Sequence, residues 1–296
     1  MNILTVDGGG MKGMIPCGVL SELEKKSGKQ CYQIFDLIAG TSIGGILACI
    51  LALGIPAEDA MKFFTEDGPN IFKKGFLTNI KFFFSPKYSA DVIEKALKAR
   101  LGQGLVQDVK TKILLTSYNN SGSGSPFFFK SYDTKSSLYP IWMAARATSA
   151  APMFFPAFKI NNDIILSDGG LVANDPTMCA YADAKKLAPG ERIKVFSIGT
   201  GETDDSFDAN SIINAGVLKT GIHAIHALYD GPNEEIKYQA RTLIGTDYYR
   251  IDPNLIESIS MDDASNVAIE KLKAALASTV AQNDSLISAV ALNFIK

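Results

Sequence analysis

DLIAGTSIGGILACILAL, residues 36–53, combines a short apolar strand, a glycine-rich turn and an apolar helix. Residues 36–39 are typical of a strand, residues 40–45 of a tight turn, and residues 46–53 of a buried helix that ends before Gly54. A strand that leads directly into a helix is half of a βαβ unit, so this stretch predicts an α/β protein.

The same order of elements occurs at the start of the chain. Residues 3–6 predict a strand, residues 8–13 a glycine loop, and the apolar positions that follow a helix ending near Gly28. Two consecutive βα units favour a parallel sheet with right-handed crossovers, and such sheets bind ligands at the carboxyl ends of their strands. We therefore predict a single three-layer α/β/α domain over residues 1–296, built around a central, mostly parallel sheet.

The remaining sequence predicts further strands and helices without a linker between domains. Residues 112–118 and 126–132 are typical of a hairpin joined by a turn rich in Ser and Gly. The other predicted elements are strands at 164–166, 194–198 and 248–251, and helices at 141–148, 176–187, 211–243 and from 262 onward. Residues 63–88 have the least regular pattern.

Composition and charge exclude several classes of protein. The 296 residues are 47% hydrophobic, and 29 basic against 31 acidic side chains give a net charge of −2. A nucleic-acid polymer requires a clustered basic surface, so we expect no such partner. The four cysteines form no C-x-x-C pair, and we expect no metal and no cofactor. Neither a signal peptide nor a bilayer-spanning apolar run is evident, which predicts a cytoplasmic protein.

The turn between the second strand and its helix fits the nucleophile-elbow pattern G-x-S-x-G. Gly40, Ser42 and Gly44 occupy its fixed positions. In such an elbow the serine has a strained backbone, and a Cβ on either glycine would collide with the turn. Ser42 is therefore a candidate nucleophile. A serine also caps helices that begin between closely packed glycines, so a structural role stays open.

The glycine loop at residues 8–13 has three interpretations. It fits the dinucleotide fingerprint G-x-G-x-x-G, so a nucleotide-binding module without catalysis, using Gly8 to Gly13, is one alternative. The acidic residue that should end the second strand is missing, because Asp36 lies at its beginning. A P-loop does not fit, since the glycine spacing is too short. The third interpretation is an oxyanion hole, in which backbone N–H groups face a developing negative charge.

A serine nucleophile requires a base, and the chain contains only two histidines, His223 and His226. The order Ser42, Asp168, histidine would suit a Ser-His-Asp esterase. However, the histidines are three residues apart in a helix-like run, where structural roles are more common. Asp168 follows an apolar strand and precedes two glycines, which favours its presentation at the sheet edge. As a base it would have to contact the serine hydroxyl directly in a partly desolvated site.

Four blocks of sequence resemble, in order and spacing, the signatures of the patatin-like phospholipases. They are DGGGMKG at residues 7–13, GTSIGG at 40–45, ARATSAAPMFFP at 145–156 and DGGLVANDP at 168–176. The resemblance extends from residue 7 to residue 176 and gives little guidance after about residue 200.

The resemblance implies a Ser-Asp dyad, with Ser42 as the nucleophile and Asp168 as the base. By the same matching, Gly9 and Gly10 correspond to the oxyanion-hole amides, and Lys12 to the basic position that meets a lipid phosphate. Members of this family hydrolyse acyl esters of phospholipids and other lipids, with no metal requirement for the dyad. This chain has Lys rather than the more common Arg at position 12, which leaves the headgroup preference open.

Residues 63–88 contain phenylalanines interleaved with lysines. This pattern suits contact with a lipid, whose chains are apolar and whose headgroups are often anionic. This segment could cap the site with its Phe side chains or contact an anionic membrane surface peripherally, at the inner face. The opening DGGGMKGMIP, residues 7–16, also resembles short bacterial relatives that are antiphage effectors activated by a cyclic nucleotide. The expected partners are therefore a phospholipid or other acyl lipid, a membrane surface and a cyclic nucleotide activator.

Overall fold

The computed structural model describes residues 1–73, 85–203, 217–255 and 257–294. The strands are β1 (Asn2–Val6), β2 (Leu37–Gly40), β3 (Lys112–Asn119), β4 (Ser125–Lys130), β5 (Phe158–Lys159), β6 (Ile165–Asp168), β7 (Lys194–Ile198), β8 (Glu202–Thr203), β9 (Tyr248–Ile251) and β10 (Asn254–Leu255). All except β8 and β10, which pair with each other, belong to one central sheet.

The described helices surround this sheet. They are α1 (Met14–Ser27), α2 (Cys31–Ile34), α3 (Ile43–Ala52), α4 (Ala57–Lys62), α5 (Gly68–Ile71), α6 (Ala90–Leu101), α7 (Ile141–Thr148), α8 (Thr177–Leu187), α9 (Val217–Ile244), α10 (Asn266–Gln282) and α11 (Asp284–Asn293). Several ends have ordinary caps. The Ser89 and Ser265 side chains accept N–H groups at the starts of α6 and α10, and Gly28, at φ 67°, ends α1 in the left-handed conformation.

The strand order of the central sheet is β5-β6-β3-β2-β1-β7-β9, and β4 also pairs with β3. Strands β3, β2, β1, β7 and β9 are parallel to one another, whereas β4, β5 and β6 run antiparallel to their neighbours. The predicted central, mostly parallel sheet is therefore confirmed.

Alternate residues of the parallel strands face two different helical layers. Leu4, Val6 and Ile38 belong to the larger apolar core. Ile3 and Leu37 point the other way, into a smaller core that includes residues of α8. Helices α10 and α11 pack on α1, and α3 packs on β1 and β2, while α9 packs on α8. Apolar side chains on both faces require cover on both faces, which produces the predicted three layers.

Several predicted boundaries need correction; the last helical region, for example, begins at Asn266 rather than at residue 262. Two corrections concern the surroundings of the serine turn. Helix α3 begins at Ile43 rather than at residue 46, because the Gly44 N–H already donates to the Thr41 carbonyl and the close packing of the turn tolerates only glycine there. The irregular segment predicted at 63–88 is helical as far as Ile71, including a π-helical turn at Phe63–Asp67. Residues 74–84, the middle part of the predicted cap, lie outside the described residues.

Candidate active site

Ser42 lies in the turn between β2 and α3 with φ 55° and ψ −122°. A non-glycine residue with positive φ is strained, and this strain persists only where neighbouring packing imposes it. A Cβ on Gly40 would lie 2.1 Å from the Gly44 carbonyl oxygen, and one on Gly44 would lie 2.2 Å from the Val6 carbonyl oxygen. The Ser42 N–H donates to Thr148 Oγ1 at 3.0 Å. The predicted strained serine turn is therefore present.

Strand β3 brings Asp168 to the end of β2. One side of β3 pairs with β4 from Leu114 to Asn119. On its other side, β2 pairs as far as Gly40 opposite Leu115, and β6 arrives from the opposite direction with Asp168 opposite Ser117. The two strand ends therefore meet head to head along β3. The residues that follow β2, including Ser42, thus lie beside Asp168.

Asp168 is a buried carboxylate, only 1% exposed. Its Oδ1 atom accepts a hydrogen bond from the Gly170 N–H at 2.7 Å. Within the described residues, no hydrogen bond of ordinary geometry reaches Oδ2. Burial raises the pKa of Asp168 to about 7, although the Gly170 N–H, the nearby Ser42 hydroxyl and the charge of Arg146 each lower it. At neutral pH this carboxylate can therefore exchange a proton with a group placed at Oδ2.

The glycine loop lies against Ser42. A Cβ on Gly8 would lie 3.3 Å from the Ser42 Cβ and 2.3 Å from Asn174 Oδ1, so only glycine allows this approach. The Gly8 N–H donates to the Asn174 carbonyl and the Met11 N–H to the Met261 carbonyl. The N–H groups of Gly9 and Gly10, which lie between Gly8 and Met11 in the chain, donate no hydrogen bond to any described residue. These two amides are available to bind an anion.

Lys12 lines the same cavity as Ser42 and Asp168. Its ammonium group donates a hydrogen bond to the Gly201 carbonyl at 3.2 Å. Lys12 is therefore anchored to the loop after β7, with its charge at the edge of the glycine loop.

A cavity of about 420 Å³ opens beside Ser42 and Asp168. One part of its wall is apolar and aromatic, formed by residues of α5, of the π-helical turn and of the segment before β5, namely Phe63, Phe64, Ile71, Phe72, Phe154 and Phe155. The other part is polar and includes the glycine loop, Lys12 and residues of α9. Such a cavity accommodates a molecule with an apolar chain and a polar end.

The position of β1 depends on a buried charge cluster that the sequence analysis missed. Arg250, in β9, contacts Asp7 Oδ2 at 2.6 Å, Asp252 Oδ1 at 2.6 Å and Asp175 Oδ2 at 3.3 Å. Burial alone would lower the pKa of Arg250, but these carboxylates raise it well above its usual value. An arginine inside a short apolar strand, in the sequence YYRI, was the available signal.

The two histidines lie in α9, which confirms the helical prediction for their backbone. The side chains of His223 and His226 are outside the described residues. In the described part of the chain, no helix is both long enough and apolar enough to cross a membrane.

The fold and the site together define an α/β protein in which a strained serine turn faces a buried aspartate. The family model for patatin-like phospholipase matches residues 4–181, and the chain belongs to this family.

Individual relatives are similar over most of the chain. Calcium-independent phospholipase A2-gamma of Oryctolagus cuniculus is 29% identical over 98% of this chain, which spans only 39% of that protein. A cGAMP-activated phospholipase of Pseudomonas aeruginosa (strain BWHPSA011 / Pa011) is 29% identical over 88% of this chain and 80% of its own length. The crystal structure of VipD from Legionella pneumophila shares the fold, with a TM-score of 0.54 at 12% identity over 97% of this chain and 66% of that one.

Proposed function

We propose that this protein hydrolyses acyl esters of phospholipids, with Ser42 as the nucleophile and Asp168 as its base. The observation that carries this proposal is the pairing of a strained serine with a buried carboxylate whose Oδ2 has no hydrogen bond of ordinary geometry from any described residue. Ser42 attacks the acyl carbonyl while Asp168 takes its proton. The alcohol leaves with that proton, and water then hydrolyses the acyl-serine by the same exchange.

The N–H groups of Gly9 and Gly10 would stabilise the oxyanion that forms on the acyl carbonyl. Their lack of partners in the described chain and the contact of Gly8 with Ser42 support this role. Backbone amides that are fixed before the reaction stabilise developing charge without reorganising, and removal of one donor typically costs about 2.7 to 4 kcal/mol of transition-state stabilisation.

A phospholipid fits the two parts of the cavity. The aromatic wall suits an acyl chain, and Lys12 is the cation that would meet a lipid phosphate. The names of the relatives, two of which are phospholipases, support this class of substrate. We further propose that residues 1–296 form one catalytic domain, with segment 63–88 as the cap of the site or as its contact with the membrane surface.

The dyad is tested by Ser42→Ala and Asp168→Asn, assayed with p-nitrophenyl esters and with phospholipid vesicles. Each variant should lose essentially all turnover of both substrates while remaining folded. Asp163→Asn is a matched control, because Asp163 is an exposed aspartate of the loop before β6. Full activity of either dyad variant would contradict the proposal.

The two alternatives are separated in the same assays. A Ser-His-Asp esterase requires that the double variant His223→Ala, His226→Ala be inactive, whereas the dyad predicts that it retains activity. A nucleotide-binding module without catalysis predicts that the wild type hydrolyses no acyl ester.

Activation by a cyclic nucleotide is a second proposal, favoured by the cGAMP-activated relative, which this chain matches over most of both lengths. Addition of cGAMP to the wild type should raise phospholipid hydrolysis by at least tenfold. An unchanged rate across cyclic dinucleotides and trinucleotides would reject this activation and the antiphage role associated with it.

A further inference from the structure

Helix α9 presents a row of polar residues to the site. Tyr229, Asn233 and Lys237 are four residues apart and therefore share one helix face. All three are buried, with exposures of 6%, 6% and 2%. Tyr229 and Asn233 line the cavity, and Lys237 pairs with Asp252 at 3.2 Å. This row lies beyond residue 181, where the match to the family ends.

Two atoms of this row are buried without a hydrogen-bond partner in the described structure, the Tyr229 hydroxyl oxygen and Asn233 Oδ1. Buried polar groups are almost always paired, because an unpaired group loses its hydrogen bonds to water without replacing them. Two such groups beside one cavity indicate that a ligand completes their hydrogen bonding.

Tyr229 lies against the turn that presents Asp168. A Cβ on Gly170 would lie 2.3 Å from Tyr229 Cε1, so the ring covers this turn directly. Burial raises the pKa of the Tyr229 phenol, and the charge of Asp168 raises it further. The phenol therefore keeps its proton and acts as a hydrogen-bond donor.

The reaction defines what must lie at this position. When Ser42 is acylated, the bond between the acyl carbon and the alcohol oxygen breaks. That oxygen then takes the proton that Asp168 removed from Ser42, so it must lie beside Asp168. The acyl chain fits the aromatic wall of the cavity, and the oxyanion fits the glycine loop. The polar face of α9 is therefore the part of the cavity that remains to bind the alcohol.

We propose that Tyr229 and Asn233 form the subsite for the leaving alcohol of the substrate, a glycerol with a free hydroxyl next to the ester. Tyr229 donates a hydrogen bond to the departing alkoxide oxygen and keeps its own proton. Asn233 Oδ1 accepts a hydrogen bond from the free hydroxyl. This inference rests on the proposed function and adds the substrate class, a monoacyl glycerophospholipid.

Tyr229→Phe tests the subsite, because it removes only the hydroxyl. We compare kcat/KM, which reports the steps up to acylation, for p-nitrophenyl octanoate and for 1-octanoyl glycerophosphocholine. The two substrates form the same acyl-enzyme, but p-nitrophenolate leaves without protonation and has no glycerol. The variant should lose about tenfold on the glycerol ester and stay within about twofold on the p-nitrophenyl ester. Its melting temperature should not fall, since an unpaired buried hydroxyl does not stabilise the fold.

Tyr248→Phe is the matched control. Tyr248, in β9, also has a buried hydroxyl, which lies near Ser197 and makes no hydrogen bond of ordinary geometry within the described residues, but Tyr248 is not among the residues that line the cavity. This variant should retain kcat/KM for both substrates. Asn233→Leu, a second variant of similar size, should reproduce the selective loss on the glycerol ester.

The outcomes distinguish this inference from the proposed function. Equal losses of Tyr229→Phe on both substrates would assign Tyr229 to the support of Asp168 and overturn the subsite. Unchanged activity on both would overturn it as well. If the wild type hydrolysed neither substrate, with or without cGAMP, the proposed function itself would fail.

Discussion

Asp168 combines two properties that rarely occur together, nearly complete burial and a carboxylate oxygen that receives no hydrogen bond of ordinary geometry in the part of the chain that the structure describes. An aspartate in water has a pKa of about 3.9 and is a weak base. Burial disfavours the charged form and raises the pKa of Asp168 to about 7. The local environment of this one residue therefore gives it a pKa that suits the proposed role of a base at neutral pH, without an imidazole.

Activity should depend on the ionisation of Asp168. The proposed base works only when deprotonated, so kcat/KM for a p-nitrophenyl ester should fall as the pH decreases below about 7. The decrease should approach about tenfold per pH unit at lower pH. The double variant His223→Ala, His226→Ala should show the same profile, because a histidine could otherwise account for it. An inflection of kcat/KM near pH 4 would contradict the raised pKa of Asp168.

Stability should depend on the same group. Because the pKa of Asp168 is raised on folding, the folded protein binds this proton more tightly than the unfolded chain. The free energy of unfolding therefore decreases as the pH rises from about 4 to about 7. Asp168→Asn removes this penalty and should raise the free energy of unfolding at pH 8 by about 4 kcal/mol, with little change at pH 4. Urea unfolding at both pH values measures the difference, and a variant less stable at pH 8 would exclude it.

At the scale of elements, the Arg250 cluster fixes the strand that carries the glycine loop. Arg250 extends from β9 across β7 to Asp7, the residue after β1, and its Nη1 atom also donates to Ser197 at 2.6 Å. It contacts Asp175 at the start of α8 as well. One guanidinium group thus connects three strand ends and a helix. These contacts hold the glycine loop at its distance from Ser42.

Arg250→Met should destabilise the fold strongly. It leaves the carboxylates of Asp7 and Asp175 buried without their cation, and loss of one partner of a buried ion pair costs about 3 to 5 kcal/mol. Arg192→Met is the control, because Arg192 makes a two-point contact with Asp247 at 2.7 Å but its side chain is 70% exposed. It should change stability much less. Similar urea-unfolding curves for the two variants would show that the cluster does not support the fold.

At the scale of the molecule, the C-terminal part of the chain completes the core that the first half begins. Strand β7 pairs with the whole of β1, and β9 extends the sheet beyond β7. Helices α10 and α11 cover α1, where a Cβ on Gly18 would lie 2.3 Å from Leu276 Cδ2. The family match ends at residue 181, before any of these elements. The matched region therefore lacks one neighbour of its central strand and part of its helical cover.

A chain truncated after residue 187, at the end of α8, should not fold independently. It would expose one edge of β1 and the surface of α1 around Gly18, which Leu276 of α10 covers in the whole protein. Circular dichroism and urea unfolding should show no cooperative transition for the truncated chain and a cooperative transition for the full chain. A cooperative transition in the truncated chain would contradict the single domain proposed for residues 1–296.

The local elements could be predicted from the sequence because their signals are local. The strand-turn-helix pattern at residues 36–53 predicts β2 and the serine turn, and the structure contains both. Strands β7 and β9 and helix α7 agree with their predicted bounds. The predicted start of α3 was wrong by about one turn. Gly44 and Gly45 have weak helix propensity, so the sequence pattern indicated a turn there, whereas tertiary packing makes these residues helical.

The sequence by itself determined the succession of strands, glycine turns and helices, and the identity of Ser42 and Asp168 as candidates. Only the tertiary structure decided that β6 meets β2 head to head along β3, which brings the two residues together. It also decided the burial that raises the pKa of Asp168, the pairing of Arg250 and the position of Tyr229 beside the site. The physical reason is that backbone propensities act over a few residues, whereas desolvation and charge pairing depend on groups that are distant in sequence.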